Sequence, residues 1–119
     1  MSDKQVFFDP ALEWISKKSG SEIKALTEGY EPPRAFTNKE TGEQIQADFS
    51  FVSMGGARSF TEIALKSEKP RDLVTRWKLL SMMAGMKRGK LYLLTPKGHK
   101  MFTKKLVDVY NINAHIHSI

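Results

Sequence analysis

The chain has 119 residues, 40% of them hydrophobic, with two Trp and seven Phe; this fits a single folded domain over residues 1–119 and excludes a disordered chain. It has no cysteine, which excludes disulfides, thiolate metal sites and a cysteine nucleophile, and fits a cytoplasmic protein. The net charge of +6 is uneven, with 7 basic and 9 acidic residues in 1–59 against 12 and 4 in 60–119, so the second half suits a polyanionic partner such as nucleic acid.

No apolar run approaches the roughly 20 residues needed to span a bilayer. The start, Met1-Ser2-Asp3-Lys4-Gln5, lacks a signal-peptide pattern, so no membrane association is expected. Asp9-Pro10 reads as an N-cap and first-turn proline of a helix that turns Leu12 and Ile15 inward. Ser19-Gly20-Ser21 interrupts it, and Ser21 caps a short second helical piece carrying Ile23 and Leu26, with Gly29 as its stop. After Glu31-Pro32-Pro33, Arg34–Thr37 is expected as an edge strand and Asn38–Glu43 as a polar turn. A return strand is expected over Gln44–Ser53.

Gly55-Gly56 marks a turn between the run Ala47-Asp48-Phe49-Ser50-Phe51-Val52 and the run Phe60–Lys66, which together predict an antiparallel hairpin. Pro70 blocks a longer strand. Arg71–Met86 has helical spacing, with Leu73, Trp77, Leu80 and Ala84 facing inward and Asp72 placed to pair with Arg76 at i,i+4. Met82, Met83 and Met86 read as helix core; if exposed, they would suggest a dimer surface. Lys87-Arg88-Gly89-Lys90 is a basic turn, and Leu91–Leu94 is a short apolar strand suited to a central position. Thr95-Pro96 predicts the start of a last helix with Phe102, Leu106 and Val109 on one face. Alternation from Ile112 to His117 predicts a final strand. His115 and His117 share its face but have no evident third ligand, so they read as surface residues. The expectation is therefore an α/β (α+β) protein with a mixed sheet of four to five strands flanked by helices.

This order, with Asp48 at the second strand and Glu62 at the third within Thr61-Glu62-Ile63-Ala64, resembles the PD-(D/E)XK nuclease superfamily, the restriction-endonuclease-like fold, over roughly residues 10–95. The resemblance implies a restriction-endonuclease-like core and a DNA endo- or exonuclease dependent on Mg²⁺ (or Mn²⁺). It implies that Asp48, Glu62 and the backbone carbonyl of Ile63 bind metal, and that a lysine two residues after Glu62 steers the attacking water. Ala64 occupies that lysine position. Lys66 is the candidate substitute, because Glu62, Ala64 and Lys66 share a face if the strand continues, and two residues displace it by only about 6.6 Å. Glu13 or Glu22 could add a carboxylate. Arg71, Arg76, Lys78, Lys87, Arg88 and Lys90 are candidates for phosphate contacts that carry no sequence information. Small members of this superfamily often act as homodimers, which makes a second copy a possible partner.

Two alternatives remain open on the sequence. The first is a nucleic-acid-binding module of the same fold that has lost catalysis, favoured by Ala64. The second is a winged-helix DNA-binding regulator, suggested by a wing-like segment over Leu91–Gly98.

Overall fold

A computed structural model of the protein describes residues 3–119. A short 3₁₀ turn, Asp3–Phe7, runs directly into helix α1, Phe8–Lys18. The helix therefore begins earlier than Asp9-Pro10 suggests, with Phe7 at the N-cap and Asp9 in the first turn. Phe8, Ala11 and Ile15 recur at three- and four-residue spacing and are buried on one face. Lys17 and Lys18 complement the dipole of the last turn.

The second helical piece is not formed. Ser21–Ala25 is a strand, β1, paired antiparallel with β4, Phe49–Val52. So short a segment recovers little of the cost of nucleating a helix, whereas a neighbouring strand supplies a ladder at once. Gly20 permits the approach: its N–H donates to Val52 O at 2.8 Å, and a Cβ there would meet Met54 Cα at 3.0 Å. The ladder is irregular between Ser21 and Lys24, where Glu22 takes a φ of 51°. Gly29 lies in a loop turn, not at a helix end.

The strand expected at Arg34–Thr37 is present as β2, Ala35–Thr37, but it pairs with β3, Gln44–Gln46, in a separate two-stranded sheet. The long return strand is accordingly split. At Ala47-Asp48 the chain leaves one sheet for the other, and there the Asp48 N–H bonds to the Glu62 side chain while Asp48 O accepts from Leu26 N–H. β4 then pairs antiparallel with β5, Arg58–Ile63, around the Gly55-Gly56 turn, where Gly56 has a φ of 84°.

Helix α2, Pro70–Met86, has proline in its first turn and buries Val74, Trp77, Leu80 and Ala84. It leads into β6, Arg88–Thr95, which is parallel to β5. Gly89 is required here, because a Cβ would fall 1.7 Å from Arg58 O on the neighbouring strand. Thr95 belongs to the sheet: its carbonyl accepts from Ile119 N–H and its hydroxyl donates to His117 O. The last helix, α3, Lys100–Val109, therefore starts later than Thr95-Pro96 predicts. It buries Thr103 and Leu106, while Val109 stays exposed. The chain ends in β7, His115–Ser118, parallel to β6.

The result is an α+β protein with a mixed five-stranded sheet, order β1-β4-β5-β6-β7, flanked by helices. One face packs Phe49, Phe51, Ile63 and Leu94 against Phe8, Ala11 and Ile15 of α1. The other packs Phe60, Leu91 and Leu93 against Trp77 and Leu80 of α2, Leu106 of α3, and the cross-strand pair Phe36–Ile45 of the small sheet. Ser50 and Phe60 are register partners, as are Phe49 and Thr61, so Asp48 and Glu62 fall opposite each other on the face covered by α2. Among the described residues, no helix is long and apolar enough to cross a membrane.

Candidate functional site

The two candidate carboxylates meet. Asp48 is 4% exposed and Glu62 is fully buried. Each accepts a hydrogen bond from the other's segment: Asp48 N–H donates to Glu62 Oε2 at 3.0 Å, and Ile63 N–H donates to Asp48 Oδ2 at 2.9 Å. Ile63 thus serves the pair through its N–H, with its side chain buried against the α1 face.

Two cations close over the acids. Lys4 Nζ lies 3.0 Å from Asp48 Oδ2 and 3.9 Å from Glu62 Oε2. Arg76, from α2, engages both oxygens of Glu62: its Nη2 donates to Oε2 at 3.0 Å and its Nε donates to Oε1. The same Nη2 also donates to the Gln46 carbonyl, tying the small sheet to α2. Two anions and two cations are therefore packed where the two sheets separate.

Burial pushes the Asp48 carboxyl up to about 7, with the Glu62 charge adding to the rise; Lys4 and the Ile63 N–H oppose the shift without cancelling it. Burial also raises Glu62, but Lys4 and the hydrogen bonds and charge of Arg76 outweigh it, so Glu62 is held below the ordinary carboxylate range. Arg76 is pushed up: burial works against its charge, and the hydrogen bond and charge of Glu62 more than compensate. The negative charge of the pair thus rests on Glu62, held by Arg76, and Asp48 shares protons near neutrality.

A divalent metal would need open oxygens on both acids. Both oxygens of Glu62 are taken by Arg76, and the ammonium of Lys4 stands between the two carboxylates. Among the described residues no group of three His, Cys, Asp or Glu could hold a metal ion. Glu13 is exposed beside Lys17, and Glu22 lies beside Arg58, so neither supplies a further ligand. Arranged in this way, the two acids are paired with cations, and a Mg²⁺ or Mn²⁺ ion bound between them would have to displace Lys4 and Arg76.

The other candidate residues fall elsewhere. β5 ends at Ile63, so the alternation that would put Lys66 beside Glu62 stops short of it. Lys66 is exposed; its backbone N–H donates to His99 Nδ1 at 2.9 Å, and its side chain lines a groove with Met101, Phe102 and Lys105 of α3. Arg76 is the ion partner of Glu62, neither a free phosphate contact nor the partner of Asp72. Arg71, Lys78, Arg88 and Lys90 are exposed, and Lys87 is half-buried at the end of α2. Lys78 lies over the Tyr110 ring at 6.0 Å. Met82 and Met86 project into solvent, while Trp77 is core. The lysine at the acids, Lys4, has no local sequence signal, since it is 44 residues from Asp48 and reaches it only through the fold.

Compared with protein-family models, with curated proteins and with solved structures, the chain matches none of them.

Proposed function

We infer that the protein is a nucleic-acid-binding module with the element order of a metal-dependent nuclease, and that it binds DNA without cutting it. The observation that carries this reading is the state of Glu62, fully buried with both oxygens held by Arg76. A carboxylate so paired meets a hard cation only at the expense of its guanidinium partner, and a divalent ion prefers oxygen ligands that are not already neutralised. The element order supports the fold assignment: helix α1, the antiparallel run β1-β4-β5, crossover helix α2, then parallel β6. The concentration of basic residues in 60–119, with Arg71, Lys78, Arg88 and Lys90 exposed, supports a polyanionic partner. Paired strands β3, β4 and β5 occupy the segment where a winged helix would carry its helices, which disfavours the regulator.

One observation favours the nuclease instead. A lysine does stand beside both acids, although it is Lys4 and neither residue 64 nor Lys66. Incubating the purified protein with single-stranded, duplex and branched DNA in Mg²⁺, Mn²⁺ or EDTA, beside Asp48→Ala, decides between the two. The expected outcome is binding with no metal-dependent cleavage. Cleavage in Mg²⁺ that disappears in Asp48→Ala would overturn the non-catalytic reading and make Lys4 the residue to replace next.

A further inference from the structure

Among the described residues, a strongly basic concavity lies apart from the acidic pair. It is a cavity of about 240 Å³ on the same face of the large sheet, lined by four cations, Lys24, Arg34, Arg58 and Lys87. These come from β1, the segment before β2, the first residue of β5 and the end of α2, so only the fold assembles them. Its remaining lining is Ser50 and the rings of Phe36 and Phe60. Lys24, Ser50 and Phe60 form one register row across β1, β4 and β5. That row is adjacent to the Asp48–Glu62 row, about 7 Å away along the strands.

No carboxylate lines the cavity. Among the described residues, Glu22 lies 4.0 Å from Arg58 Nη2 and is itself more than half exposed. Gathering four like charges around a recess is unfavourable by itself and becomes favourable when an anion enters. Two of the four are arginines, whose forked donors match phosphate oxygens bidentately. The Arg34 guanidinium lies 5.8 Å from the centre of the Phe36 ring, a second lining residue of the cavity. Lys87 caps the C-terminal end of α2, where the helix dipole favours a cation.

We propose that this cavity is a binding site for a phosphomonoester, the terminal phosphate of a nucleic-acid strand. A terminal phosphate carries up to two charges, against one for an internal diester, and four converging cations answer the dianion better. The Phe36 and Phe60 rings give an apolar wall for the attached nucleoside. The site itself is independent of whether the acidic pair is catalytic; its assignment to a strand end rests on the nucleic-acid reading above.

The test is fluorescence anisotropy of the full chain with labelled single strands of one sequence, ending in 5′-phosphate, 3′-phosphate or hydroxyl, with inorganic phosphate and a mononucleotide as competitors. A phosphorylated end is expected to bind about tenfold tighter than the hydroxyl end, as suits extra charge-assisted hydrogen bonds. Arg34→Gln, at an exposed side chain, and Lys87→Gln should each erase that preference while leaving the melting temperature unchanged. Lys100→Gln with Lys104→Gln, on exposed α3 positions, should keep it. Strands that bind equally well with and without a terminal phosphate would overturn the site and leave nucleic-acid binding standing. A mononucleotide that binds as tightly as any strand, with sensitivity to Arg34→Gln, would keep the phosphate site but overturn its assignment to strand ends. Absence of all binding would overturn both.

Discussion

Asp48 and Glu62 sit opposite each other where the β4–β5 hairpin opens, and burial raises both carboxyls, yet their net shifts have opposite sign because their partners differ. Glu62 has a guanidinium on both oxygens, and Asp48 has one ammonium and one amide N–H. A buried ion pair is weak evidence for stability, since desolvation offsets most of the attraction, but removing one partner alone strands a charge. The consequence is measurable as a pH dependence. Asp48 moves from its ordinary 3.8 to about 7 on folding. Between those limits the native state binds more protons than the unfolded chain, so this group makes stability fall as pH rises from about 4 to about 7. Glu62, held low, acts the other way, and its contribution is lost only as acid protonates it. Urea unfolding of the wild type and Asp48→Asn at pH 5 and pH 8 isolates the first effect. The variant should gain on the wild type by on the order of 2–3 kcal/mol between the two pH values. A stability difference that does not change with pH would show that Asp48 stays ionised.

At the scale of elements, the sheet depends on how closely β5 and β6 approach at Arg58 and Gly89. A methyl group at Gly89 would overlap Arg58 O, a backbone atom that cannot step aside without opening the parallel ladder. Gly89→Ala should therefore cost about 2–4 kcal/mol, seen as a lower urea midpoint at unchanged slope. An unaltered midpoint would mean that the strands separate there at no cost. Most elements were legible from the sequence because their signals are local. The α2 stripe, the Gly55-Gly56 hairpin and the apolar Leu91–Leu94 run each lie within one stretch, and each forms. The segment from Ser21 carrying Ile23 and Leu26 has the cap and spacing of a helix turn, whereas the strand character of Ser21–Ala25 comes from Val52, Ser50 and Phe49 on β4. Nothing local in Gln44–Ser53 reveals that Ala47-Asp48 changes sheets, so the sequence predicts one strand where the fold has β3 and β4.

For the whole molecule, charge distribution governs the encounter with a polyanion. On the proposed nucleic-acid reading, the exposed Arg71, Lys78, Arg88 and Lys90 each neutralise a phosphate and release counterions, whereas Arg76 is committed to Glu62 and does not. Replacing Arg71, Lys78 and Lys90 together with Gln should weaken duplex DNA binding and flatten the plot of log K against log salt by about 2–3 in slope. A slope unchanged in the triple variant would move the binding face away from α2 and the start of β6.

The sequence by itself determined the class of fold, because hydrophobic periodicity and turn chemistry are properties of neighbouring residues. The hairpin around Gly55-Gly56, legible in the sequence, is what sets Asp48 opposite Glu62 in the fold. Tertiary structure alone decided what surrounds them. Lys4 reaches Asp48 across 44 positions, Arg76 turns from solvent to Glu62, and Lys66 falls beyond the end of its strand. Four cations distant in sequence likewise become one cavity only when β1, β5 and α2 are assembled. Charge and burial act through space, and a pattern along the chain carries no measure of either.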